Sequence, residues 1–289
     1  DVVRLSHIRG PLIAGLLWIA LAFASTTLRD KGGAMLLLWL PGAVAVASLY
    51  ATAPRRWPLL LGTMFIMQVA YSSFRGVPFF PGLGIAFANQ VEAVVCAYLG
   101  IRVLGGRAKS PQTFGHVAGL FGAAILGCAA GTVISVLFHP GRTLAEPFHW
   151  FLSSVLAVLT FTPVALYFRQ WLGFGDQNVS FWEAGRQRGF LLAVGGMLAL
   201  AALVLASPVR GLTPVLLVAI VFAVFRYGQL AAACGVMAYA AAGMIASLGG
   251  HNPAPYLDSD PAIGALLLQG QMLLMLAAAL PLAAMLLTR

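Results

Sequence analysis

Ten apolar runs, most of them long enough to cross a bilayer, recur along this chain: Pro11–Thr27, Ala34–Ala53, Trp57–Ser73, Phe80–Leu104, Gln112–Phe138, Pro147–Phe168, Phe190–Ala206, Leu212–Phe225, Gln229–Leu248 and Ala262–Leu287. A spanning helix needs about 20 apolar residues, within a range of about 17–25. Leu212–Phe225 is the short one: at about 1.5 Å per residue it covers only about 21 Å of a core about 30 Å thick. It is expected either to be sheltered by neighbouring helices or to pair, tilted, with the next one. No run alternates apolar and polar residues as a barrel strand does. The expected fold is therefore all-α, a polytopic helical membrane bundle of about ten transmembrane helices with the eighth short.

Composition supports the same solvent. The 289 residues are 61% hydrophobic and 9% charged, against about 25% charged in an average soluble domain. Seventeen basic and eight acidic residues are too few to clothe a water-soluble fold of this size. The net charge of +9 reflects scarce acids rather than abundant bases. The bases stand singly or in small groups between apolar runs, as loop anchors facing anionic headgroups, and form no basic stripe suited to nucleic acid. Cys96, Cys128 and Cys234 lie apart inside apolar runs, which argues against a disulfide framework and for small buried side chains.

The positive-inside rule sets the orientation. With ten spans and the N-terminus inside, twelve bases fall on the inner side (Arg4, Arg9, Arg55, Arg56, Arg102, Arg107, Lys109, Arg169, Arg186, Arg188, Arg226 and Arg289) and five on the outer (Arg29, Lys31, Arg75, Arg142 and Arg210). Both termini are then cytoplasmic. Without the eighth span the C-terminus would move outside. The longest inner loop, Arg169 to Gly189, holds Trp171, Trp182 and the Glu183–Arg186 pair and is expected to form a short interfacial helix. No linker, low-complexity tract or internal repeat divides the chain, so residues 1–289 form one integral membrane domain. The chain opens on Asp1 and closes on Thr288-Arg289 directly after an apolar run, so further sequence is expected at both ends. The run before Thr27 is read as a span rather than a cleaved signal peptide.

Glu92 is the only acid inside a span. A charge at mid-bilayer costs about 2.5–3.5 kcal/mol on insertion scales, so Glu92 is expected to face the bundle, protonated or paired. Asn89 stands three residues earlier on the same helical face, and Gln68 in the preceding span is a possible partner. Two readings follow: a ligand or proton site formed by Glu92, Asn89 and Gln68, or an interhelical hydrogen-bonded clasp worth about 0.6–2 kcal/mol per contact. The fifth run carries Gly115, Gly119, Gly122, Gly127 and Gly131, which suits close helix packing. His139, His149 and His251 fall in outer loops with Glu146, Asp258 and Asp260 nearby. Imidazole and carboxylate suit zinc or copper, but no HxxxH or HExxH spacing accompanies them, and solvated loop residues are the better account. Arg226-Tyr227-Gly228 reads as a snorkelling arginine, an interfacial tyrosine and a helix-ending glycine. Gln269 and Gln271 put polar groups in the last span. No GxSxG, P-loop, HExxH or dinucleotide fingerprint occurs; the chain itself shows no catalytic apparatus and names no cofactor.

Particular residues then group together. Trp39-Leu40-Pro41-Gly42, Asn89-Gln90-Val91-Glu92-Ala93, Trp150 with Pro163 thirteen residues on, Phe225-Arg226-Tyr227-Gly228 and Leu266-Leu267-Leu268-Gln269 follow in that order. From about Leu36 to its end the chain resembles the bacterial membrane-associated sensor domain family of the first type, the MASE group. The resemblance implies a multi-span sensory input domain of the bacterial inner membrane, set N-terminal to a cytoplasmic output domain beyond Arg289. In that family the output is typically a diguanylate cyclase, often with a cyclic-di-GMP phosphodiesterase, or a histidine kinase. The family pattern places an aspartate four residues after Trp150 and a glycine seven after it, where this chain has Ser154 and Ala157, so what it senses is expected to differ. Asn89, Glu92 and Arg226 fit the pattern and are carried as candidate sensing or structural positions, beside Gln68, Trp150, Ser154, Tyr227 and Gln269.

On this reading a small-molecule ligand, a partner membrane protein or a membrane condition favours one of two bundle packings, and the last helix moves against its twin in a homodimer. The alternative is a proton-coupled small-molecule transporter, for which ten spans, a short helix and a buried carboxylate are suited.

Overall fold

A computed structural model describes residues 2–32, 37–107, 113–138, 145–171, 184–207, 212–248 and 261–287. Every regular element among them is helical: α1 (Val2–Gly32), α2 (Leu40–Ala51), α3 (Trp57–Phe74), α4 (Phe79–Val103), α5 (Phe114–Phe138), α6 (Ala145–Trp171), α7 (Ala184–Ala206), α8 (Thr213–Tyr227), α9 (Gln229–Leu248) and α10 (Pro261–Leu287), with a 3-10 turn at Pro54–Arg56 before α3. Six of these helices are long and apolar enough to cross a membrane, within α1, α4, α5, α6, α7 and α10. Phe222, Leu192 and Phe80 are each 76% exposed, as suits side chains whose solvent is lipid.

Several expected boundaries move. In place of a span over Ala34–Ala53, α2 is a helix of 12 residues, about 18 Å long. Its start is dictated by Pro41, which is tolerated in a first turn but clashes with the preceding carbonyls in a helix interior. Trp39, just before it, has a non-helical ψ of 77°. Helices α6 and α7 run into the expected inner loop: Arg169 and Trp171 belong to α6, while Arg186 and Arg188 open α7. Trp182 and Glu183 lie outside the described residues. His149 and Glu146 are helical rather than loop residues, with Glu146 in the first turn of α6, where a carboxylate meets the positive end of the helix dipole. His149 is buried there.

The chain divides into two compact units: residues 1–26, 39–109 and 119–158, and residues 27–38, 110–118 and 159–289. In the first, α4 packs on α2 and α3. The α2–α3 corner is tied by the Trp57 indole N–H, which donates to the Leu49 and Thr52 carbonyls at 3.0 and 3.1 Å. At the end of α4 the Gly106 N–H returns to the Ile101 carbonyl and Gly105 takes φ +63°, a left-handed stop suited to glycine. The N-terminal helix is held by an aromatic cluster: Trp18 meets Trp39 and Tyr71 edge-on at 6.2 and 6.0 Å. The Tyr71 hydroxyl donates to the Ala22 carbonyl at 3.2 Å and also meets the Thr26 hydroxyl.

In the second unit α9 packs against α7, α8 and α10. A β-carbon on Gly235 would stand 2.7 Å from Ile220 Cγ1 and 2.9 Å from Met197 Sδ, so α9 approaches its neighbours at glycine distance. α8 has 15 residues, about 22 Å, and ends as read from the sequence: Gly228 has φ +71° and its N–H returns to the Val224 carbonyl at 2.8 Å. The Gln269 amide of α10 donates to the Leu37 carbonyl at 3.3 Å, and the Tyr239 hydroxyl of α9 donates to Gln271 Oε1 at 3.1 Å.

Candidate functional site

The α4 helix buries a stripe of small and polar residues, among them Ala88, Asn89, Glu92, Ala93, Cys96 and Gly100. Their spacing of three and four residues is that of one helical face. Glu92 is 1% exposed and sits in this stripe. Two glycines from other helices enclose it. A β-carbon on Gly131 of α5 would stand 2.8 Å from Glu92 Cβ, 3.0 Å from its Oε2 and 3.1 Å from the Ala88 carbonyl oxygen. One on Gly42 of α2 would stand 3.0 Å from Glu92 Oε1 and 3.2 Å from Trp39 Cδ1. One turn along α5, a β-carbon on Gly127 would lie 2.3 Å from the Cys96 sulfur and 3.0 Å from the Glu92 carbonyl oxygen. A β-carbon at Gly131 or Gly127 would force a shift, and one at Gly42 would make its side-chain neighbours give by a few tenths of an ångström; glycine at the two α5 positions lets that helix close over the acid.

Helix α6 supplies the polar side. The Ser154 hydroxyl and the Trp150 indole N–H, one turn apart, are the side-chain donors beside the Glu92 carboxyl. The Trp39 backbone N–H donates to the Ser153 carbonyl at 3.2 Å, so the Trp39–Gly42 segment is fastened to the same stretch of α6. The donors come close without completing their bonds: both Glu92 oxygens, Ser154 Oγ, Trp150 Nε1 and Trp39 Nε1 are buried without a hydrogen-bond partner in the protein. Each such atom carries a desolvation cost of about 1–3 kcal/mol. Concentrated around one carboxyl, they form a site built to exchange hydrogen bonds, with two indoles and a hydroxyl able to donate to a carboxylate and two oxygens able to accept from a ligand or hold a cation.

The structure brings Glu92, Trp150 and Ser154 together, with Asn89 one turn away on the same helix. It does not join Gln68 to them. Gln68 is buried in α3, but its Oε1 and both amide atoms of Asn89 are unpartnered, so the interhelical clasp is not made. The reason is geometric: α6, rather than α3, presents donors to the carboxyl. Sequence reasoning marked Gly131 for close helix packing without setting it against Glu92, and missed Gly42 and Trp39 as its neighbours, although both stand in the Trp39–Gly42 motif and a buried acid requires small neighbours to admit it.

Of the five glycines of α5, Gly119, Gly127 and Gly131 meet α4, the first with a β-carbon position 2.4 Å from Val103 Cγ1. Among the described residues a β-carbon on Gly122 would meet nothing within 4 Å, and one on Gly115 only the Thr113 hydroxyl at 3.8 Å. In the second unit, Gln269 is buried on its bond to Leu37. Tyr227 meets Phe190 edge-on with centroids 5.6 Å apart, and Arg226 is exposed at the end of α8. Among the described residues no three His, Cys, Asp or Glu side chains gather as metal ligands. His139, His251, Asp258 and Asp260 lie outside the described residues.

The sequence model of the MASE1 family matches residues 11–289. No curated protein and no solved structure matches the chain.

Proposed function

The chain belongs to the MASE1 family of membrane-associated sensor domains found in signalling proteins, and on that premise we propose that it is the sensory input of a bacterial inner-membrane receptor whose stimulus is read at Glu92. The reading has ten spans and both termini in the cytoplasm, with α2 and α8 as short spans sheltered by their neighbours. The output follows Arg289 in the cytoplasm: a diguanylate cyclase first, a cyclic-di-GMP phosphodiesterase or a histidine kinase next. The receptor works as a homodimer through α10.

The observation that carries this reading is the enclosed Glu92 carboxyl, ringed by donors that have not closed on it. An ionisable group at membrane depth is costly and is by default a functional candidate. A proton, a cation or a small hydrogen-bonding molecule would change which of these groups are satisfied. It moves the equilibrium between two packings only by its differential affinity for them, about 1.4 kcal/mol per tenfold. The family pattern has an aspartate at the Ser154 position. Here a hydroxyl faces Glu92 instead of a second carboxyl, which suits a ligand of lower positive charge.

The test is output activity of the full-length protein in membranes, for wild type, Glu92→Gln and Arg226→Ala. Glu92→Gln is expected to fix the output at one level whatever the growth condition. Unchanged activity and response in both variants would remove these residues as sensing positions. A buried carboxyl among short helices also favours a second reading, a proton-coupled carrier. Proteoliposome uptake of metabolites driven by a pH gradient would support it, and absence of uptake across a broad set would exclude it.

A further inference from the structure

An open groove of about 600 Å³ lies along α7 and α8, lined by Ala193, Gly196 and Met197 on one side and by Phe222, Arg226 and Tyr227 on the other. Its character changes along its length. The deeper part is apolar, and a β-carbon on Gly196 would meet nothing within 4 Å, so there is free width. The polar end is built at the point where the start of α7 meets the end of α8. A β-carbon on Gly189 would stand 2.5 Å from the Tyr227 hydroxyl, so a glycine is what lets this hydroxyl lie against α7. Phe190 braces the same ring.

Arg226 is exposed at this end, as is Arg188 on the first turns of α7. Helices α7, α8, α9 and α10 contain no aspartate or glutamate, so no carboxylate on any of the four can answer the guanidinium. Charge distribution assigns this end to the cytoplasmic side, where the leaflet carries anionic lipid. Basic pockets between transmembrane helices on that side suit anionic headgroups.

We propose that this groove seats an anionic phospholipid of the surrounding bilayer, its phosphate held by Arg226 and Tyr227 and one acyl chain lying along Gly196 and Met197. The flank formed by Phe222 and Phe225, 76% and 60% exposed, is open to lipid, which leaves room for the second chain in the bilayer. That openness favours a two-chain lipid over a free fatty acid. The guanidinium presents donors only and the phenol O–H adds another, which match phosphate oxygens, while the positive charge of Arg226, unanswered by any carboxylate on these four helices, favours a headgroup of net negative charge over a zwitterionic one. The proposal rests on the orientation given in the proposed function and not on what the domain senses.

The test is native mass spectrometry of the full-length protein in neutral detergent, titrated with phosphatidylglycerol, phosphatidylcholine and palmitate. Phosphatidylglycerol is expected to be retained about fivefold better than phosphatidylcholine, the factor one arginine at the headgroup level supplies. Arg226→Gln should abolish that preference and Arg226→Lys should keep part of it. Gly196→Leu fills the groove with a better helix former, so a fold-neutral variant is expected to lose retention of phosphatidylglycerol. Equal retention of the two phospholipids, undiminished preference in Arg226→Gln and Gly196→Leu, or displacement of phosphatidylglycerol by equimolar palmitate would each overturn the assignment.

Discussion

Glutamine at position 92 would keep the shape of the side chain and remove its charge, while Gly131→Ala would leave the charge and crowd the carboxyl. The two changes separate chemistry from packing. A β-carbon at Gly131 would meet both Glu92 Cβ and the Ala88 carbonyl oxygen, at 2.8 and 3.1 Å, and a backbone atom does not yield as a side-chain tip does. Gly131→Ala is therefore expected to destabilise by about 1–3 kcal/mol, measured as thermal unfolding in detergent. Glu92→Gln should leave stability nearly unchanged or raise it. Ser154→Asp sets a second carboxyl against Glu92, so its output should become sensitive to added divalent cation where wild type is not; equal insensitivity in both would separate Ser154 from the sensing step. At this scale the sequence was partly legible. A lone acid in an apolar run stands out, and Asn89 follows from helical spacing. Which helix would face that acid was not legible, because periodicity gives a face and not its neighbour. Gln68 was the polar residue expected from the preceding span, yet Trp150 and Ser154 of α6 are the side chains beside the carboxyl.

Helix ends show where local chemistry speaks clearly. The stop of α8 at Gly228 was legible because a glycine after an apolar run marks a helix end, and φ there is +71°. Gly228 pairs that φ with ψ −154°, a region essentially reserved to glycine, so Gly228→Ala should cost about 1–3 kcal/mol in thermal stability; an unchanged melting temperature would contradict this. The start of α2 was less legible. Pro41 sits inside an apolar run that continues on both sides, and composition alone extends the helix through it, whereas the proline fixes a start at Leu40. The long bond from Gln269 to the Leu37 carbonyl, 3.3 Å, was not legible either, since it joins α10 to a segment far away in sequence. Gln269→Leu should lower stability by about 0.6–2 kcal/mol, the range of interhelical polar contacts in membranes, and loss of unfolding cooperativity without that shift would contradict the bond's structural role.

Across the described residues, length and apolarity alone make six helices able to cross a membrane, while α2, α3, α8 and α9 have to be judged by their surroundings. Charge distribution is the independent guide: twelve basic residues against five predict that a fluorescent protein fused after Arg289 folds and glows in the cytoplasm, and that a periplasm-dependent phosphatase at the same point stays inactive. The opposite pattern would remove one span, α8 first. The all-helical membrane class was legible because lipid admits few spanning architectures. Membership of a sensor family was legible in ordered short motifs, whereas the stimulus was not, since the polar atoms of the proposed site come from Trp39 before α2 and from α4 and α6. The most direct measurement is the mass of the natural polypeptide in its own membranes, before and after proteolysis from the cytoplasmic face. A receptor predicts a mass well above the 30.3 kDa of these 289 residues, with the excess released by cleavage after Arg289. A mass near 30.3 kDa would contradict an attached output domain and favour the carrier.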